Sequence, residues 1–337
     1  MGEYTASKTR YQGNDNTGFY RRCGRSGLKL SSLSLGFWHN FGTNDDYENM
    51  KQMCFAAFDH GITHFDLANN YGPVPGSAES NLGRILREEM SAYRDELIIS
   101  TKAGYDMWEG PYGDWGSKKY LIASLDQSLK RMGLSYVDIF YHHRMDPETP
   151  LEETMGALAQ IVRSGKALYV GLSNYDGETM VRAEKILDEL HCPFVINQNG
   201  YNILNRTVEH NGILKQGYIS GKGMICFSPL AQGMLTDRYL KEIPADSRVL
   251  RDGRFLHEDQ VLSTRTLLLK LDEIAESYGM SLSELAIAWL LQKKEVTSVL
   301  IGASRPEQIL KNLEAVRKHE KAKLPEEELR KIDETVK

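Results

Sequence analysis

Short apolar runs recur along the chain, each followed by a polar loop and then by a stretch in which apolar residues return every three or four positions. The runs read as strands and the periodic stretches as amphipathic helices. The strands are "LSLG" (33–36), "THFD" (63–66), "LIIST" (97–101), "DIFYHH" (138–143), "ALYVGLS" (167–173), "FVINQ" (194–198), "MICFS" (224–228) and "VLIG" (299–302). Helical patterns lie between them, among them "YENMKQMCFAAFDHG", "AESNLGRILREEM", "KKYLIASLDQSLKRMG", "LEETMGALAQIVRSG" and "ETMVRAEKILDEL". Two of these end in Gly after a basic or small residue, a sound C-terminal stop. Ahead of the first unit, "FYRRCGRSGLKLSSLSLG" reads as strand, turn at "RSG", strand.

Eight strands alternating with helices predict a parallel sheet. No Pro/Gly/Ser-rich linker divides the set, so a closed (β/α)8 TIM barrel accounts for the count better than two domains do. The expected organisation is a polar arm over residues 1–18 and one barrel domain over 19–337, with an N-terminal β-hairpin and extra C-terminal helices. In such a barrel the active site lies on the loops at the C-terminal ends of the strands. Reactive residues should therefore come from the ends of several different strands.

Composition narrows the partners. A net charge of −5 with no long block of one sign argues against nucleic-acid or membrane-surface binding. The N-terminal stretch lacks the apolar core of a signal peptide, and no run of 18 apolar residues occurs. The four cysteines are scattered, with no CxxC pair or Cys/His cluster, which predicts free thiols, no metal site and a cytoplasmic protein.

Four residues meet the strand-end demand. Asp66 ends the second strand, and Tyr71 follows it in "DLANNYG". Lys102 follows the third strand, and His143 ends the fourth. Parity puts only one of His142 and His143 into the barrel mouth and does not say which. Singly, each has a plainer reading: Asp66 as a turn cap, Tyr71 as a packed ring, Lys102 as an ion-paired or Schiff-base lysine, His143 as a satisfied polar residue. Together they suit carbonyl reduction, in which the alkoxide left by hydride addition needs a proton. A free phenol, with a pKa of about 10, is a poor donor near neutrality. An adjacent ammonium should lower that value, a carboxylate should keep the ammonium charged, and a histidine can support the developing oxyanion.

With those residues in place, the chain resembles the aldo-keto reductase superfamily from about residue 20 to 335. The resemblance rests on "GITHFDLANNYG", "GPVPGSAESNLGRIL", "GKALYVGLSNY", "NQNGYNILNR", "FSPLAQGMLTDRYL" and "VLIGASRPEQILKN". These are most similar to bacterial glyceraldehyde 3-phosphate/methylglyoxal reductases and to the related potassium channel β subunits. It implies Asp66, Tyr71, Lys102 and His143 as catalytic residues, with Tyr71 as proton donor. Histidine at position 143, where channel β subunits generally have Asn, favours an enzyme over the alternative of a cofactor-binding regulatory subunit.

No G-x-G-x-x-G follows a strand, so the loops would have to hold a nicotinamide cofactor. Ser173, Asn174 and Gln198 could bind its carboxamide, and Phe227 offers a flat face for the ring. The turn containing Ser228, Pro229, Leu230, Gln232 and Gly233 should bring backbone amides near a pyrophosphate. "GASRPEQ" predicts Ser304 as an N-cap with Pro306 just inside a helix, an anion site to which Arg305 adds a cation. The resemblance supports these positions and extends them to Arg248, Gly302, Gln308 and Asn312. Only Glu307 is acidic there, so NADP(H) is the expected cofactor. Trp38, Tyr71, His143 and Arg144 are expected to contact a small carbonyl substrate, with Trp108 and Trp115 crowding the mouth. The physiological substrate and any homo-oligomer stay open, and "LRDGRFLHEDQVL" (250–262) has no assigned role.

Overall fold

In a computed structural model of the protein, residues 4–12, 18–245, 247–251 and 256–336 are described, without the side chains of Arg248 and Arg251. The apolar runs become strands β3 (Leu33–Gly36), β4 (His64–Asp66), β5 (Ile98–Ala103), β6 (Val137–His142), β7 (Ala167–Ser173), β8 (Phe194–Gly200), β9 (Gly223–Phe227) and β10 (Ser298–Ile301). All neighbours are parallel, and β10 pairs with β3 to close the barrel. Two antiparallel strands precede it, β1 (Tyr20–Arg22) and β2 (Lys29–Ser31), as the "RSG" turn predicts. The extra C-terminal helices are Glu258–Ser277 and Leu282–Gln292 between β9 and β10, and Pro306–Lys321 and Glu326–Val336 after β10.

Strand parity sorts the side chains into two cores. Outward residues such as Leu33, Leu35, Phe65, Ile99, Phe140 and Leu172 pack under the helices in one large apolar cluster. Inward residues divide the barrel interior into unlike halves. Ile139, Tyr141, Ile196, Ile225 and Leu300 form an apolar half, reached from one end by Leu28 and Leu30 of the hairpin. Ser34, His64, Asp66, Ser100, Lys102 and Ser298, from β10, β3, β4 and β5, are the buried polar half. Gly171 of β7 is required by this arrangement: a Cβ there would stand 2.3 Å from the ring of Tyr141.

The helices start and stop where local chemistry dictates. Ser117 caps Lys118–Met132 by accepting from the Tyr120 amide, and Gly133, at φ 67°, ends that helix in the left-handed conformation. Residues 4–12 lie on the outside of the barrel: Tyr4 stacks on Phe55 at 3.9 Å, and Arg10 pairs with Glu96 at 2.7 Å. The helical turn Arg248–Arg251 runs into the start of the unassigned segment, within which Leu256 and Val261 pack with Tyr239. Residues 252–255 lie outside the described residues.

Candidate active site

The centre of the site is a buried ion pair. Lys102 lies within β5 rather than after it. Its Nζ donates to Asp66 Oδ2 at 2.5 Å and to the Leu67 carbonyl at 2.7 Å, with no exposure of either side chain. Asp66 Oδ1 accepts from Ser100 Oγ at 2.6 Å and from Gln198 Nε2 at 3.1 Å. Behind the strand, Thr101 donates to the buried Glu79 at 2.5 Å, and Arg131 reaches the same carboxylate at 2.7 Å. Lys102 is thus fixed from both faces of β5. Burial pulls its ammonium below the ordinary lysine value, against the opposing pull of Asp66.

Tyr71 sits above this pair, its ring centroid 5.1 Å from Lys102 Nζ. The phenol is not lowered as the sequence reading expects. Burial first, and then the negative charge of Asp66, push it well above its ordinary value. The physical reason is that Lys102 spends its hydrogen bonds on Asp66 and Leu67, leaving the phenol in a poorly solvated position near a carboxylate.

The structure also separates the two histidines. β6 ends at His142, one residue short of the expected boundary. His142 bonds through Nδ1 to the Tyr175 hydroxyl at 2.6 Å. His143 turns to the mouth, its ring 5.9 Å from that of Tyr71 and 4.7 Å edge-to-face on Tyr105. Burial, then the charge of Lys102, holds its imidazole well below the ordinary value, so the ring is neutral. Its Nδ1 is buried with no partner among the described residues, which places the single proton best on Nε2.

Around the rim, Trp38 lies 6.5 Å from Tyr71, ring to ring. Trp108 turns back onto Tyr120 at 5.1 Å. Arg144 stacks between Trp115 at 3.6 Å and Tyr105 at 4.2 Å, and its Nη2 holds both oxygens of Asp114 at 2.7 and 2.8 Å. Its charge is therefore already partnered. Tyr105 was missed in the sequence, although it stands only three residues beyond Lys102.

A strip of loops runs from this centre across the ends of β7 to β10. Asn174, at φ 57°, donates to the His143 carbonyl at 3.0 Å, and Ser173 is buried beside it. Phe227 is half-buried, and a Cβ on Gly200 would lie 3.1 Å from its ring. Ser228, Ala231 and Gln232 all have positive φ, a concentration of backbone strain of the kind found at functional loops. Asn202 pins this turn by donating to the Ser228 carbonyl at 2.8 Å. Within the turn the amides of Ala231, Gly233, Met234 and Leu235 already have backbone partners. Pro229 is buried, while Leu230, Gln232 and Gly233 are half-open along the strip.

At the end of the strip, the N-cap of Pro306–Lys321 is Arg305 and not Ser304. A residue before proline is driven to extended backbone, and Arg305 takes that conformation. The Gln308 side chain accepts from the Ser304 amide at 2.8 Å. Gly302, Ser304 and Arg305 are exposed, and Asn312 is buried about two turns into the helix. Glu307 approaches Arg305 only to 3.9 Å, with both side chains mostly in solvent. Asn40 and Asn49 tie the loop down, donating to the carbonyls of Ala303 and Ser304 at 2.9 Å each. The side chain of Arg248 lies outside the described residues. Phe227, Ser228, Gln232, Ser304 and Arg305 are each at least partly open along these loops. No group of three metal-ligating side chains occurs among the described residues, and none of their helices is long and apolar enough to cross a membrane.

A closed barrel with a Lys–Asp pair, a tyrosine and a histidine at one mouth defines a recognisable class. The chain belongs to the aldo/keto reductase family, whose model matches residues 32–337. It is 56% identical over 305 residues to L-glyceraldehyde 3-phosphate reductase of Escherichia coli strain K12, covering 88% of this chain and 87% of that protein. It is also 54% identical over 325 residues to the protein of the same name from E. coli O157:H7, covering 94% and 92%. A putative voltage-gated potassium channel subunit beta of Schizosaccharomyces pombe is 37% identical over 323 residues, covering 94% and 92%.

Proposed function

We propose that this protein reduces small aldehydes to alcohols with NADPH, glyceraldehyde 3-phosphate and methylglyoxal among them, and that Tyr71 donates the proton. The observation that carries the reading is the convergence of Tyr71, Lys102, Asp66 and His143 on one opening at the strand ends. A nicotinamide cofactor, when bound along the strip from Phe227 to Arg305, supplies the hydride. Asn174, Ser173 and Gln198 would orient its carboxamide, and Arg305 with the helix N-terminus would receive its ribose phosphate.

His143, neutral and carrying its proton on Nε2, donates a hydrogen bond to the substrate carbonyl and orients it. As hydride reaches the carbonyl carbon, charge develops on the oxygen. The Tyr71 O–H bond breaks and its proton passes to that oxygen, giving the alcohol and a phenolate. The raised Tyr71 value keeps the phenol protonated before the reaction, and Lys102 nearby stabilises the phenolate that follows. Asp66 holds Lys102 in register. Trp38 and Tyr71 narrow the mouth, which favours short substrates. Arg144 contributes a rim charge that a substrate phosphate would share with Asp114.

NADPH oxidation by the pure protein across short aldehydes, phosphorylated and not, tests this reading. Tyr71→Phe should lower turnover by roughly 10²–10⁴, the range for general acid catalysis, with NADPH affinity nearly unchanged. Full turnover in that variant removes Tyr71 from the mechanism. Tight NADPH binding with no turnover of any aldehyde would favour the regulatory reading instead.

A further inference from the structure

Asp66 is held from below by a line of buried groups that the reaction itself does not use. Ser100 Oγ donates to Asp66 Oδ1 at 2.6 Å. His64 Nε2 lies 2.9 Å from the same hydroxyl, and His64 Nδ1 lies 2.8 Å from Ser34 Oγ. Ser34 meets the Ser298 hydroxyl at 2.6 Å, and that hydroxyl donates to the Ser31 carbonyl in β2 at 2.7 Å. None of these side chains has any exposure.

Counting protons gives the line a direction. A carboxylate only accepts, so the one proton of Ser100 is committed to Asp66. The Ser100 oxygen then accepts from the ring, which puts the His64 proton on Nε2. Nδ1 accepts from Ser34, and the line ends at Ser298, whose own proton goes to the Ser31 carbonyl. Three protons, those of Ser34, His64 and Ser100, are thus aligned toward Asp66, and aligned hydrogen bonds polarise one another. The opposite tautomer would set a bare Nε2 lone pair against the Ser100 oxygen at 2.9 Å.

We infer that His64 is a positioning residue for the Asp66–Lys102 pair, holding Oδ1 through Ser100 so that Oδ2 stays on Lys102. The inference deepens the reductase reading and rests on it. His64 acts only through Ser100. The charged groups that face its ring are Asp66 and Lys102, and burial holds the imidazole down to about 4, so it is uncharged at neutral pH.

Two measurements test it on the full-length protein. Long-range ¹H–¹⁵N spectra of histidine-labelled protein, with His64 assigned by its loss in His64→Gln, should show the Nε2–H tautomer at pH 7. They should also show a shifted His64 signal in Ser100→Ala. An Nδ1–H or doubly protonated ring overturns the inference. In kinetics, His64→Leu should lower kcat by about tenfold or more, the effect of stranding a buried hydrogen-bonding group. NADPH affinity should hold, and the pH profile of kcat should move. Ser34→Ala, which touches neither Asp66 nor the mouth, should move that profile in the same direction. A ring that merely fills space would change the melting temperature and leave the profile in place. Folded His64→Leu and Ser34→Ala proteins with wild-type kcat and profile sink the inference. If Tyr71→Phe is inactive while these variants are not, the reductase reading stands and only the role of His64 falls. If the wild type turns over no aldehyde, the reductase reading itself fails, whatever the spectra show.

Discussion

Replacing Lys102 by methionine keeps the length of the side chain and removes its charge. The variant loses the donors to Asp66 Oδ2 and to the Leu67 carbonyl, 2.5 and 2.7 Å long, at a place with no solvent to replace them. Breaking a buried pair from one side costs about 3–5 kcal/mol, because the other charge is left stranded. Ser100 and Gln198 still donate to Asp66 Oδ1, so the loss belongs at the lower end, about 3 kcal/mol. Urea unfolding at pH 7, followed by tryptophan fluorescence and far-UV circular dichroism, gives the difference from the midpoint provided the slope is unchanged. The second arm is Asp66→Asn with Lys102→Met. It removes both charges, and a buried pair replaced as a whole is often close to neutral. The double variant should recover at least half of the lost stability, although it should be inactive. The coupling energy of the cycle then measures the pair itself. A loss below about 1 kcal/mol in the single variant, or a double variant no more stable than the single, would refute the stranded-charge reasoning.

Two further outcomes follow from the electrostatics. NADPH should bind more tightly than NADH, and Arg305→Ala should remove much of the difference, about tenfold for one charge-assisted contact. The exposed Glu307 at 3.9 Å competes only weakly, and titrations at equal ionic strength that give equal dissociation constants in the wild type would count against NADP preference. Stability should also fall on mild acidification. Burial pushes the rings of His64, His142 and His319 from 6.5 down to about 4. Below 6.5 the unfolded chain binds a proton at each and the folded chain does not. Stability is therefore full above that pH and is lost between 6.5 and 4, by roughly 1.4 kcal/mol per pH unit for each ring. Urea midpoints at pH 7, 6 and 5 check this, and a flat series contradicts it.

The barrel was legible because each strand is a dense apolar run and each helix keeps its 3.6-residue period. The same runs located Asp66, Tyr71, Lys102 and His143 at strand ends, and the structure brings those four together. Other features had no local signal. Ser34, Ser100 and Ser298 look like unremarkable small residues in strands until the barrel closes and sets them around His64. The partner of Arg144 is Asp114, thirty positions earlier on a different loop, which only the folded chain brings near. The choice of His143 over His142 depends on which face of β6 turns inward, and period-two alternation fixes the pairing of residues without fixing that side. The mouth loops take left-handed turns at Val74, Trp115, Ser228, Ala231 and Gln232 with no glycine to announce them. The cap at Arg305 follows from the proline after it, a constraint that outweighs the capping preference of Ser304.

The two asparagines that fasten the loop after β10 bridge 263 and 255 residues of sequence. During synthesis at about 5–20 residues per second, the first β/α unit waits roughly 13–50 s for the segment it must hold. The proposed cofactor strip is then completed late, only once β10 and the loop after it have been made. A ligand that binds only the finished barrel stabilises only complete chains, since its contribution is confined to the state that can bind it. Chains that stop short of β10 would gain nothing from the proposed cofactor, so its binding would favour whole molecules over partial ones.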